Sequence, residues 1–385
     1  MPSRASLEAR IEHLLENGHD EERYARIVRG AGPLLDSMFS AVRTRGLDTI
    51  PQEPVVYAAR HASHLDYCLI VRELHADAQQ QRQAGHQPRA PPWIIAGDNL
   101  YFWPFGDIIS QMRSVPIPRD SDRAGLKFLM KAINQIVDRG DDLLIFPEAG
   151  RSYSGKLLRF HDTIPDICRR KGYTTMVPVD VSYERVPEGV MFPLLQRTKD
   201  HKPEHPLALA LNKALYIGLD FGHLLLRAPF QRSSEVYCTF GAPLALEGMH
   251  AAAMRDAVGA IQTVTATDLL AWCLQETPMD GGDLAASIYE TDLYLQKRGI
   301  ATSSHCTSSA LTIQRALQTG LHHAVRRRDG RYHVMNIGSV VFYQNRVEHL
   351  FDAQYPTDHD RKRGTLVPAP LTSLFARNSS PSPAI

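Results

Sequence analysis

Short, strongly apolar runs set between helical and turn-rich stretches constrain this chain more than any other feature. They are Val55–Ala59, Trp93–Ala96, Val115–Ile117, Leu143–Phe146, Met176–Val181 and Val236–Phe240. Runs of this length with few polar residues are the pattern of strands buried on both faces. Between two of them Leu126, Leu129, Met130, Ile133 and Val137 share one helical face, and Gly140 supplies a stop. Strands alternating with helices predict an α/β fold, a mixed and mainly parallel sheet flanked by helices.

The ends of the chain read differently. In residues 1–50, Leu7, Ile11 and Leu14-Leu15 recur at helical spacing, and a second helical segment runs around Leu34–Val42. Ala76–Pro92, rich in Gln and Pro, reads as a surface loop. After residue 245 helical patterns dominate, as in Leu284, Ile288 and Leu295, and Gly338–Tyr343 stands out as strand-like. The expected organisation is a helical segment over 1–50, an α/β domain over 51–245 and a mostly helical region over 246–377. Residues 378–385, with Ser-Ser-Pro-Ser-Pro, are expected to be disordered.

The bulk numbers exclude several classes. With 43% hydrophobic and 22% charged residues the 385-residue chain is of globular type. A net charge of +1 argues against a nucleic-acid partner, which calls for a strongly basic domain. Basic residues do cluster at Arg151/Lys156/Arg159, Arg169-Arg170-Lys171, Arg326-Arg327-Arg328 and Arg361-Lys362-Arg363. The five cysteines are scattered without a CxxC pair, which fits reduced thiols in a cytoplasmic protein and gives no zinc site. The start of the chain shows no signal peptide, and no run is long and apolar enough to span a membrane. Leu207–Phe230 comes nearest; it fits an interfacial helix or a buried core helix equally.

Two stretches carry chemistry. In the first, the run Val55–Ala59 leads into Arg60-His61-Ala62-Ser63-His64-Leu65-Asp66. Ser63 and Asp66 have capping-box form, which predicts a helix starting at Ser63 with Asp66 in its first turn. Asp66 would then reach back to His61. A carboxylate on one imidazole nitrogen fixes the tautomer and leaves the other nitrogen free to take a proton. Asp66 as a plain cap and His61 as a turn residue fit this stretch about as well. His64 reads as a solvent-facing histidine at the helix start rather than as a metal ligand, because no third ligand stands at a recognised spacing.

In the second, Leu143–Phe146 feeds Pro147-Glu148-Ala149-Gly150-Arg151-Ser152-Tyr153-Ser154-Gly155-Lys156-Leu157. Gly150–Lys156 fits the phosphate loop G-x-x-x-x-G-K, but Leu157 replaces the Ser or Thr that holds magnesium, and no helix signal follows. A serine-hydrolase elbow around Ser152 fails at its last glycine, where Ser154 stands. A substrate anion site fits better: Arg151 offers a planar fork, Gly150 lets backbone come close, and Glu148 can orient a hydroxyl or the arginine. A structural ion pair between Glu148 and Arg151 at a strand end fits as well.

Taken together, the two stretches resemble the glycerolipid acyltransferases, and in particular their glycerol-3-phosphate acyltransferase branch. The family's histidine, four residues and acid appear as His61 to Asp66. Its second block is seen in Ile95–Leu100 leading through Phe102-Trp103-Pro104 to Val115-Pro116-Ile117-Pro118-Arg119, its third in Phe146–Ser152, and its fourth in Val177–Glu184. Val236–Leu244 looks like the closing strand, and Phe342–Asn345 with His349–Phe351 is similar to the C-terminal region of larger members. The likeness is good over residues 50–245. Departures are Arg60 in place of a small polar residue, Pro116 and Pro118 in the second block, and Ala149 where glycine is common.

The resemblance implies acyl transfer from a thioester to a hydroxyl, with His61 as general base and Asp66 orienting it. It implies that Arg119 and Arg151 hold the acceptor's phosphate, with Glu148, Gly150 and Ser152 completing the acceptor site. The co-substrate would be acyl-CoA or an acyl carrier protein thioester, with no further cofactor and no metal. The acceptor would be glycerol 3-phosphate, or alternatively lysophosphatidic acid. The amphiphilic substrates imply peripheral attachment to the cytoplasmic face of a membrane. A phosphate-loop nucleotide-binding protein and an inactive lipid-binding relative are the readings from other classes. The acyl chain's expected neighbours are Leu207–Phe230 or the aromatic cluster Tyr101-Phe102-Trp103-Phe105, the latter reading equally as core.

Overall fold

The computed structural model describes residues 4–17, 21–97, 112–117, 123–192 and 234–351. Arg119, the Tyr101–Phe105 cluster, Leu207–Phe230 and the C-terminal tail lie outside these. The chain opens with helices α1 (Arg4–Asn17) and α2 (Glu21–Met38). It then enters a sheet whose strands are β1 (Ala41–Arg45), β2 (Val55–Ala59), β3 (Trp93–Gly97), β4 (Ser114–Ile117), β5 (Leu143–Ile145), β6 (Thr175–Tyr183), β7 (Glu235–Phe240) and β8 (Leu244–Ala245). Helices α3 (Asp66–Gln83), α4 (Arg123–Asp138) and α5 (Thr163–Arg170) connect them.

The sheet order is β1-β7-β6-β2-β5-β3-β4, with β8 on β6. β6, β2, β5, β3 and β4 run parallel, whereas β7 and β8 pair antiparallel with β6, and β1 runs parallel to β7. This is the mixed, mainly parallel sheet the pattern predicts. Every residue of β2 is buried. Alternation divides its side chains: Val55, Tyr57 and Ala59 enter one core, and Val56 and Ala58 the other. The second core is closed by Ile11 and Leu15 of α1, Leu129 and Ile133 of α4, and Cys168 of α5. Helices therefore cover both faces, as a buried parallel sheet requires.

Past the sheet come α6 (Ala251–Ala260), α7 (Ala266–Cys273), α8 (Gly281–Lys297), α9 (Ser309–Gln318) and α10 (Ile337–Val347). A small antiparallel sheet of β9 (Met279–Asp280), β10 (Val325–Arg328) and β11 (Arg331–Val334) lies among them. Leu270, Leu284, Ile313 and Val340 of this region share one core with Val177, Val181 and Tyr57 of the main sheet. The C-terminal region thus has no separate core there: Ala251, Met254 and Val258 of α6 join the second core, and the later helices complete the opposite face of the sheet.

Four local expectations change. Ala41–Arg45 is a strand, not the end of a helix: all five of its residues pair in parallel with Glu235–Thr239, and that ladder overrides local propensity. α3 runs to Gln83, so the loop expected from Ala76 begins only after it; Ala and Gln are good helix formers and carry it on. Gly338–Tyr343 belongs to α10, where Asn336 caps the Ser339 amide. The helix after His61 begins at Asp66 rather than at Ser63.

Candidate active site

The adjacent strands β5, β2 and β6 end side by side, and each delivers one part of the site from its C-terminal end. That edge is where open α/β sheets place their ligands. From β2 comes the turn His61–Asp66, from β5 the loop Phe146–Lys156, and from β6 the segment Tyr183–Phe192.

Asp66 is the organising group. It is fully buried, and its Oδ2 accepts from the amides of Ala62 (2.7 Å) and Ser63 (2.9 Å). The same oxygen lies 3.0 Å from His61 Nδ1. Oδ1 accepts the Tyr183 hydroxyl at 2.7 Å. A buried carboxylate with this many donors is held in place, and a rigid acceptor on Nδ1 sets the imidazole tautomer. His61 is partly exposed, its ring packed on Phe146 at 4.7 Å between centroids. Nε2 is the ring nitrogen that Asp66 does not hold.

The capping box expected at Ser63 is only half made. Asp66 does accept the Ser63 amide, but the Ser63 hydroxyl donates to Glu188 Oε2 at 2.7 Å instead of capping the helix. Glu188 also takes the His64 amide at 2.9 Å and stands 3.6 Å from the Arg151 guanidinium. His64 is buried, not solvent-facing, because Glu188 draws its backbone inward. Among the described residues no His, Cys, Asp or Glu group could hold a metal ion.

The loop after β5 closes over this turn. Glu148 Oε2 accepts the His61 amide at 3.0 Å, Oε1 accepts the Leu158 amide at 3.0 Å, and the His61 carbonyl accepts from the Ser152 amide at 3.2 Å. His61 is thereby fixed at its backbone from both sides. Burial pushes the Glu148 carboxyl up to about 7, with the nearby Arg60 working in the opposite direction. The direct ion pair with Arg151 that the sequence left open is absent; Arg151 faces Glu188. Its guanidinium lies over the rings of Tyr153 (5.3 Å) and Phe192 (5.9 Å) and donates to the Tyr153 hydroxyl at 3.2 Å. The Ser152 hydroxyl is buried and has no hydrogen-bond partner among the described residues. Gly150 borders open space.

The phosphate-loop reading loses its geometric support. Lys156 is followed by chain without regular secondary structure, the next helix begins at Thr163, and Lys156 Nζ pairs with Glu348 at the surface, 2.9 Å away. The elbow reading likewise lacks its helix after Ser152.

His61, Asp66, Glu148, Gly150, Arg151 and Ser152 therefore share one site, and Arg119 alone lies outside the described residues. Sequence reasoning did not find Tyr183, Glu188 and Arg60. Arg60 is buried and donates to Gln262 Oε1 (2.8 Å), the Arg346 carbonyl (3.3 Å) and the Gly155 carbonyl (2.5 Å). Tyr183 had one signal, its position on the inward face of β6 in step with Val177, Val179 and Val181. Glu188 had none, since an acid after a strand reads as surface.

In solved structures, a 1-acyl-sn-glycerophosphate acyltransferase from Thermotoga maritima is similar at 19% identity and a TM-score of 0.35, over 67% of this chain and 79% of that chain. The sequence itself gives a family match: residues 41–182, from β1 to the last residue but one of β6 and holding His61, Asp66, Glu148 and Arg151, match the model of the Acyltransferase family.

Proposed function

We propose that the chain transfers a fatty acyl group from a thioester to the hydroxyl of glycerol 3-phosphate, a step of phospholipid biosynthesis. The observation that carries this reading is the His61–Asp66 pair, with Nδ1 held at 3.0 Å by a buried carboxylate that itself has three other donors.

His61 Nε2 takes the proton of the acceptor hydroxyl as its oxygen attacks the thioester carbonyl. The tetrahedral adduct collapses, the C–S bond breaks, and the imidazolium returns its proton to the departing thiolate. Asp66 steadies the transient positive charge on His61. The acceptor is its own nucleophile, so no acyl-enzyme is needed. Arg151, and Arg119 by the family resemblance, hold the acceptor's phosphate, and the Ser152 hydroxyl, which has no hydrogen-bond partner among the described residues, bonds it. Glu148 acts through the His61 amide rather than on the acceptor, as both its oxygens are engaged. The donor is acyl-CoA or an acyl carrier protein thioester, and no other cofactor is called for.

Both donor and product are amphiphilic. Among the described residues no helix is long and apolar enough to cross a membrane. Peripheral attachment to the cytoplasmic face completes the proposal, and co-sedimentation with anionic lipid vesicles tests it.

The central test is thiol release from long-chain acyl-CoA, with and without glycerol 3-phosphate. Release should depend on the acceptor and fall about 10²–10⁴-fold in His61→Ala, with thermal stability kept. Arg151→Ala should chiefly raise the KM for the acceptor. Release without acceptor would indicate a thioesterase. Release with lysophosphatidic acid alone would move the acceptor assignment. No release from acyl-CoA or acyl carrier protein donors with either acceptor would overturn the reading.

A further inference from the structure

We propose that α10, nearly two hundred residues beyond the anion loop in sequence, is part of the acceptor site, with Asn345 and Phe342 as positioning residues that set where the Arg151 guanidinium stands. The proposal deepens the acyltransferase reading and rests on it for the identity of the acceptor.

The contacts between α10 and the anion loop are direct. Asn345 Nδ2 donates to the Ser154 carbonyl at 2.8 Å. Gly155 lies against the helix backbone so closely that a methyl group there would collide with the Phe342 carbonyl oxygen, and its φ of +86° disfavours any side chain. Arg60 then joins the two elements from beneath, donating to the carbonyls of both Gly155 and Arg346.

A second route runs through aromatic rings. Phe342 meets Phe192 edge-on at 5.4 Å, Phe192 meets Tyr153 edge-on at 5.3 Å, and the Arg151 guanidinium sits over both Phe192 and Tyr153. These rings fix the plane of the guanidinium, and a planar fork recognises a phosphate only when that plane is set. The backbone of the loop and the aromatic wall around its arginine are therefore both seated on one helix. A substrate that needs Arg151 should feel changes in α10; a substrate without an anion should not.

This asymmetry distinguishes positioning from general support of the fold. Asn345→Ala and Phe342→Leu are prepared in the full-length chain. Binding of inorganic phosphate and of glycerol 3-phosphate is measured by calorimetry, beside the KM and kcat for glycerol 3-phosphate and for glycerol. Each variant should bind both anions about three- to tenfold more weakly, the loss expected for one hydrogen bond or one ring contact. The KM for glycerol 3-phosphate should rise in proportion, while kcat and the constants for glycerol stay close to wild type. Asn345→Gln, which keeps the amide donor, should recover part of the binding.

Equal losses with charged and neutral acceptors, or unchanged anion binding in both variants, would overturn the proposal. So would a wild-type protein that binds neither phosphate nor glycerol 3-phosphate. A wild-type protein that binds the anion without acyl transfer would count against the enzyme reading alone, and the two variants would still report on α10.

Discussion

The Tyr183 hydroxyl donates to Oδ1 of Asp66 at 2.7 Å, and Oδ2 of the same carboxylate holds His61. The last residue of β6 is thus joined through one buried acid to the histidine that follows β2, its neighbour in the sheet. Arg346 of α10 donates to the Tyr183 carbonyl at 2.7 Å, so the residue that steadies Asp66 is itself anchored to the C-terminal region.

Replacing Tyr183 by Phe keeps the ring and its packing but leaves Asp66 Oδ1 buried without that donor. The unpaired oxygen should cost about 1–3 kcal/mol of stability. A carboxylate free to swing should lower turnover about tenfold through misplacement of His61. Urea unfolding and steady-state kinetics on the same preparation read the two effects. Unchanged turnover would show that the Ala62 and Ser63 amides hold Asp66 unaided.

Arg60 should be among the least replaceable residues outside the reacting groups. Its guanidinium serves Gln262, Gly155 and Arg346, and among the described residues no carboxylate lies within ion-pairing distance of it. Burial works against its charge, while Asp180 and Glu148 favour that charge from further away. Arg60→Met strands those acceptors and should destabilise the fold by about 2–5 kcal/mol. Arg60→Lys should rescue little, because one ammonium does not match a planar fork spanning three acceptors. Denaturant midpoints of both variants decide the matter, and a wild-type midpoint for Arg60→Lys would refute the geometric argument.

Glu148 gives the protein a pH dependence of definite sign. Its carboxyl rises from the ordinary 4.5 to about 7 chiefly through burial. Between those values the folded state keeps a proton that the unfolded state has lost. The contribution of this group is therefore full below pH 4.5 and is lost as pH rises through 7. At about 1.4 kcal/mol per pH unit the ceiling is about 3 kcal/mol. Glu148→Gln starts from lower stability, since its amide nitrogen must face one of two backbone N–H donors, but it cannot titrate. The advantage of wild type over this variant should shrink from pH 5 to pH 8 in urea unfolding. An advantage independent of pH would show that Glu148 keeps an ordinary carboxylate value.

Much of this architecture is legible in the chain because it follows from local pattern. The strands β2, β3, β4 and β5 are short and apolar, so their positions can be read almost to the residue. The His61–Asp66 pair is legible because a five-residue separation across one turn leaves few geometries. What stayed hidden depends on pairing at a distance. β1 is defined by its ladder with β7, which starts some 190 residues later. Gly338–Tyr343 looks extended by composition, yet Tyr343, Val347 and Val340 bury against the same core as β6, and that packing makes it helical. Arg60, Tyr183 and Glu188 escaped for the same reason, as each acts on a partner brought near only by the fold.

Ala149 offers a stabilising change inside the site loop. It has φ +55°, a left-handed conformation that costs an L-residue about 1–2 kcal/mol, and its side chain is exposed. Glycine adopts this conformation freely but adds about 0.5–1 kcal/mol of unfolded-chain entropy. Nothing is lost in packing, and the bond from the Ala149 amide to the Phe146 carbonyl, 3.2 Å, involves backbone alone. Ala149→Gly should therefore stabilise the protein by roughly 0.5–1 kcal/mol, read as a higher urea midpoint at unchanged slope. Turnover should stay within about twofold of wild type, since relief of backbone strain at 149 leaves the Glu148 and Ser152 contacts to His61 intact. A lower midpoint would mean that the alanine methyl stiffens the loop more than its conformation strains it, and that the loop's own rigidity, rather than the hydrogen bonds around it, keeps Glu148 on the His61 amide.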